Sequence, residues 1–265
     1  MVRRIRCIDG LMLAVAASLF GALAPSLGTP IASAASTRTP RFQVPISIAS
    51  NGSLLWVTNE GSNGIVEINA ATGSIVKSIN AAADKFDNTG DVVALGRHLW
   101  VLSSIRQGKN ITPRWWITEL NANTGSLVRI IDAKADGLDD VSTISLAINS
   151  KDLWVANGND SVTELNANTG SLVRIIKAKV DQLNSPTGIT VKGPNVWVVN
   201  SGGNSVTELN ATDGSLIRVI KAKSDAFDDP CGVTVSFDHV WVVNVGSNSV
   251  TELDATSGAL VRIIK

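Results

Sequence analysis

From about residue 44 onward the chain alternates short apolar runs with short polar breaks. Between Pro186 and Lys223 the runs are GITV, VWVV, SVTEL and SLIRVI. Each is rich in Val, Ile and Thr and is bounded by Gly, Asn, Asp or Pro, a pattern that predicts four strands joined by turns. The unit recurs along the chain, with Trp56, Trp100, Trp154, Trp197 and Trp241 at one fixed place in each copy and spacings of 44, 54, 43 and 44 residues. Pro45, Pro186 and Pro230 each lie eleven residues before their Trp, and Thr89 and Thr143 hold that place in the other two copies. A period of about 40 to 45 residues with four strands per unit predicts an all-β fold: a β-propeller of five four-stranded antiparallel blades.

The units predict blades over about 44–81, 91–133 and 145–178, with two more starting near Gly188 and Gly232 and the last ending at Lys265. Each begins with its inner strand and ends with its outer one, so no spare strand is left at either end to complete a shared blade. Sealing would rest on packing of blade one against blade five. The units therefore form either a closed five-blade ring or an open arc of a larger propeller, and an open arc predicts self-association through exposed apolar blade faces.

Within each unit the turn between the third and fourth strands reads NAATG, NANTG, NANTG, NATDG or DATSG. Asn or Asp at its start bonds the backbone two residues on, and Gly at its end supplies a positive φ. Glu67, Glu119, Glu164, Glu208 and Glu252 each precede a Lys or Arg by ten residues across that turn. This spacing predicts a ladder of exposed cross-strand ion pairs, worth about 0.2–1 kcal/mol each. An aromatic residue repeated once per blade predicts interblade packing, so Trp56, Trp100, Trp154, Trp197 and Trp241 read as structural.

Residues 1–34 carry Arg3, Arg4 and Arg6, then an apolar run over 11–24, then Ala32-Ser33-Ala34. This is the pattern of a secretory signal, and the fourteen-residue run is short for a membrane span of about 20. The expected organisation is signal peptide 1–34, tether 35–43 and propeller 44–265. The expected location is secreted or extracytoplasmic, periplasmic or at the cell surface, with no membrane span once the signal is removed. Taking Arg3, Arg4, Arg6 and Asp9 from 23 basic and 23 acidic residues leaves a net charge of about −2, which gives no case for binding nucleic acid. Cys7 leaves with the signal, so Cys231 is expected to be a lone packing residue with no intramolecular disulfide.

At 55–59 the sequence LWVTN, followed by GIVEINAATGSIV, resembles the YVTN-type repeat propellers and is similar to the broader NHL-like group. Later copies keep the pattern as VWVVN followed by NSVTELNATDGSLIRVI, so the resemblance covers about 220 residues. It implies a propeller that binds or scaffolds at a surface or in a periplasm. Two enzyme groups with similar blades imply an alternative: streptogramin B lyases use a His and a metal ion, and gluconolactonase-like propellers hold a divalent metal with carboxylate and Asn ligands. That alternative is a metal-assisted lyase or lactone hydrolase. The two histidines, His98 and His239, lie two residues before a repeat Trp, in a turn on the face opposite the mouth, and are expected to be solvated.

Asn59, Asn157, Asn200 and Asn244 end the second strand in four blades, with Ser103 in blade two. Oxygen ligands converging there suit a hard divalent cation, Ca²⁺ or Mg²⁺, whereas Asn side chains that cap their own turns would not. The loops between blades add Asp84, Asp87 and Asp91, then further carboxylates up to Asp228 and Asp229. Blade two inserts eight extra residues between its second and third strands, SSIRQGKNITPRWW, which bring Arg106, Lys109, Arg114, Trp115 and Trp116 to the mouth. Aromatic and Arg side chains on a loop suit an interface or a carbohydrate contact. HExxH, GxSxG and phosphate-loop patterns are absent from the sequence. The expected function is thus a secreted, non-catalytic binding or scaffold propeller, with a protein, carbohydrate or small ligand at its mouth and no cofactor predicted.

Overall fold

The computed structural model describes residues 42–80, 89–105, 114–132, 144–177, 182–221 and 226–265. They form a five-blade β-propeller. Each blade is a four-stranded antiparallel sheet whose strands pair in chain order, and the described residues include no α-helix. The blades occupy residues 45–80, 89–132, 144–177, 186–221 and 230–264. The expected signal, and all but the last two residues of the tether, lie outside the described residues.

The repeat unit fixes the register. In blade four, for example, Trp197 stands opposite Thr190 of the first strand and Glu208 of the third, and Glu208 stands opposite Arg218 of the fourth. Because side chains alternate across a strand, Trp197, Val199 and Val206 point to one side of the sheet and Val196, Val198 and Leu209 to the other. Each sheet is therefore apolar on both faces, and the core is a set of layers between blades. Trp56 packs against Val92, Leu99 and Val101 of blade two, and Trp100 against Leu146, Leu153 and Val155 of blade three. The third layer sets Trp154 on Ile189, Val196 and Val198, and the fourth sets Trp197 on Val240, Val242 and Leu253. These four tryptophans are at most 1% exposed.

The fifth tryptophan differs. Trp241 is only half-buried, and Val243 beside it is 45% exposed. Blade one, at the other end, leaves Ile48 61% exposed. The structure therefore answers the sealing question left by the sequence: four junctions are packed, and the faces of blades one and five that would make a fifth are uncovered.

The outer turns follow the expected chemistry. Asn69, Asn121, Asn166 and Asp254 each accept two backbone N–H groups two and three residues on. The turn glycines have φ between +68° and +74°. In blades two to five that glycine also touches the preceding blade: a Cβ on Gly214 would lie 2.9 Å from Arg174 Cδ and Ile176 Cδ1.

Two expectations need correction. The Glu ladder has the predicted register, Glu67 with Lys77 through Glu252 with Arg262, but it is not an exposed one. All five Glu residues are 0–3% exposed, each set beside the bulky Trp that stands opposite it on the second strand. Cys231 is disulfide-bonded, not free. The expectation concerned a chain without residues 1–34, and Cys7 lies outside the described residues.

Candidate functional site

Two faces of the propeller are defined by the strands. The mouth face carries the turns between second and third strands, together with the connections from blade to blade. Toward the opposite face, the first strands of blades one to four line an open central cavity of about 240 Å³, with aliphatic residues such as Ile48, Val93, Ile148 and Val191 together with Ser50 and Thr190. The cavity lining includes no ionisable side chain.

Asp91 is a charged group whose place differs from that expected from the sequence. Grouped there with the loop carboxylates, it lies in the structure inside the first strand of blade two, Thr89–Leu95. Its Oδ1 accepts the Ser47 hydroxyl at 2.5 Å, and its Oδ2 accepts the Ser145 hydroxyl at 3.1 Å and the Leu146 N–H at 2.8 Å. One carboxylate thus ties the first strands of blades one, two and three. The signal was present in the sequence: Ser47, Asp91 and Ser145 all lie nine residues before their Trp. Asp84 and Asp87 lie outside the described residues.

The four asparagines end their strands as expected, but they are buried to 0–1% exposure. Asn157 Nδ2 donates to the hydroxyls of Ser161 (3.0 Å) and Thr163 (2.9 Å), Asn200 Nδ2 to Thr207 (3.0 Å), and Asn244 Nδ2 to Thr251 (2.9 Å). Two of their oxygens serve the strap that leads into the blade: Asn59 Oδ1 accepts Gln43 N–H and Asn200 Oδ1 accepts Asn184 N–H, both at 3.3 Å. Asn157 Oδ1 and Asn244 Oδ1 have no hydrogen-bond partner among the described residues. A divalent cation needs six or more oxygens converging on one point. In this donor set two of the four oxygens already accept backbone N–H groups. Among the described residues no group of three or more His, Cys, Asp or Glu side chains could hold a metal ion.

The histidines are not plain turn residues. His98 Nδ1 lies 2.5 Å from Glu119 Oε1 and His239 Nδ1 lies 3.0 Å from Glu252 Oε1, each ring about 40% exposed over a buried carboxylate. On the other side of each Glu stands the guanidinium of Arg129 or Arg262. Both clusters sit at the start of the second strand, at the end away from the mouth.

The break in repetition lies in blade two. Its second and third strands, His98–Ile105 and Arg114–Asn121, have eight residues each where other blades have six. The extra pairs Ser104 with Trp115 and Ile105 with Arg114 carry the hairpin about 7 Å beyond its neighbours at 3.3–3.4 Å per residue. Trp116 opposes Ser103 and is 9% exposed. Trp115 is half-buried and packs on the layer between blades two and three. Both indole N–H groups lack a partner among the described residues. Arg114 opens the third strand, and Arg106 and Lys109 lie outside the described residues.

Repeat, register and interblade layers define the class: a five-blade β-propeller. No protein-family model matches the chain, and no curated protein matches it in sequence. Solved structures share the fold. BamB from Moraxella catarrhalis is similar at 15% identity with a TM-score of 0.52, over 83% of this chain and 62% of that one. A chain of a nidogen/laminin complex is similar at 16% identity with a TM-score of 0.64, over 84% of this chain and 80% of that one. The chain thus spans less than two thirds of the BamB chain. No helix among the described residues is long and apolar enough to cross a membrane.

Proposed function

We propose that the chain is an extracytoplasmic, non-catalytic propeller of the YVTN or NHL-like kind that holds a protein partner against its mouth face, with the blade-two hairpin as the first contact. The observation that carries the reading is the single departure from repetition, the raised hairpin 98–121. Trp116 and Trp115 root that hairpin in the blade, and its two strands flank the sequence RQGKNITPR. Loops held on a rigid sheet scaffold are where propellers place binding chemistry, and Arg with aromatic neighbours is the composition of interface anchors. A similar fold occurs in a chain of a nidogen/laminin complex, which supports a protein partner by analogy of fold. The signal-like residues 1–34 support export. The non-catalytic part of the reading rests on the buried asparagines, two of which hold backbone straps, and on the aliphatic cavity.

Photo-crosslinking tests it. A photoreactive side chain at position 109 should capture a partner protein that the same side chain at position 76, on the outer strand of blade one, does not. Replacing Trp115, which is half-exposed, by Ala should reduce that capture at least about tenfold without melting the blades. Equal capture at both positions, or none at either, would refute the mouth-hairpin reading.

A further inference from the structure

The four packed junctions show what each blade face is built to meet. The forward face of a blade presents its Trp, a third-strand aliphatic such as Val206, and a fourth-strand isoleucine such as Ile220. The rear face of the next blade presents a first-strand aliphatic, two second-strand aliphatics flanking its Trp, and a third-strand leucine. Blade five carries a complete forward face in Trp241, Val243, Val250 and Ile264. Blade one carries a complete rear face in Ile48, Leu55, Val57 and Ile68. These two faces do not meet: Val243 and Ile264 are each 45% exposed and Ile48 is 61% exposed.

Polar features repeat the same message. Lys77, Arg129, Arg174 and Arg218 each reach forward to a carbonyl in the outer turn of the next blade, Asn123, Asn168, Thr212 or Thr256, at 2.5–3.1 Å. Arg262 is the fifth of this series, and its counterpart carbonyl would be Ala71 of a blade one. Its side chain is instead 62% exposed and stands 5.8 Å over the ring of Trp241. The outer-turn glycines of blades two to five contact the blade behind them, whereas Gly73 of blade one has nothing within 4 Å of its Cβ position.

We propose that the forward face of blade five docks on the rear face of blade one of a second copy of this chain, through the same kinds of side chains that meet at the internal junctions. The occupant follows from complementarity: the surface that fits blade five is a blade-one face, and each copy offers one. Such a head-to-tail contact is heterologous, and each junction covers one forward and one rear face. Apolar faces of this size left in water are otherwise a liability.

Sedimentation velocity on protein purified from expression of the full chain tests this at micromolar concentrations. The expected result is a concentration-dependent dimer or larger head-to-tail species. Val243→Asp on the forward face and Ile48→Asp on the rear face each set an unpaired carboxylate in the apolar junction and should weaken association at least about tenfold. An equimolar mixture of the two variants should associate better than either alone, because Val243 of one and Ile48 of the other still form one intact junction. Both positions are exposed, so circular dichroism should stay that of the parent; should Val243→Asp misfold, Ile264→Asp tests the same face. A parent protein that is monomeric throughout, variants that associate as tightly as the parent, or a mixture no better than its components would each overturn the proposal.

Discussion

Each repeat buries one carboxylate, and the side chains that meet it vary from blade to blade. Glu67 takes the Trp56 indole N–H at 3.2 Å and Lys77 at 3.1 Å, and Glu119 stands between His98 and Arg129. Glu164 has Arg174 at 2.7 Å. Burial pushes Glu164 up from the ordinary 4.5 to about 7 against the opposing pull of Arg174, with Asp152 nearby adding to the rise. Glu208 is raised for the same first cause, offset by Arg218. A carboxyl raised in the folded state binds its proton more tightly there than in the unfolded chain. Its contribution to stability is therefore full below about 4.5 and is lost as pH rises through about 7. Glu164→Gln should flatten the decline in melting temperature between those two pH values, leaving the smaller slope that Glu208 contributes. A melting profile with the parent's slope would mean that Glu164 ionises normally. The sequence showed which residues pair, since a ten-residue spacing across a known turn leaves little choice. It could not show that the carboxylate of each pair is buried, because burial depends on how the surrounding side chains pack.

At the scale of the element, the third-to-fourth strand turn does two jobs. Its Gly satisfies a positive φ, and in blades two to five it also lets the turn lie against the fourth strand of the preceding blade. These requirements can be separated. Gly73→Ala should cost only the left-handed backbone penalty, about 1–2 kcal/mol, because open space surrounds its Cβ position. Gly214→Ala carries that penalty and a 2.9 Å clash with Arg174 and Ile176 as well, so it should destabilise by at least about 1 kcal/mol more in urea unfolding. Equal losses would show that the turn does not bear on the neighbouring blade. The blade-two hairpin shows the limit of pattern reading at this scale. Its length and composition were plain in the sequence, yet Trp116 proved to be rooted in the sheet, in register with the buried serines Ser161 and Ser205. A Trp outside the repeat looks like a free anchor until its strand pairing is known.

On the scale of the whole molecule, the interblade layers make stability a sum over junctions. Trp154→Ala empties a completed layer and should cost about 3–5 kcal/mol. Trp241→Ala, on the uncovered forward face, should cost clearly less in dilute protein, and the difference should shrink where copies associate; equal costs in dilute solution would mean that the two sites are equally packed. Denaturant titrations at two protein concentrations measure both. The repeat by itself determined blade number, strand order, register and turn chemistry. All of these are local or nearest-neighbour properties, written five times over, so no single ambiguous run could mislead. Tertiary structure alone decided which faces are covered, that two of the four asparagine oxygens hold backbone straps, and that Asp91 joins three blades. Those outcomes depend on where one sheet lies relative to the next, and an identical repeat sequence cannot encode that its first and last copies lack a neighbour.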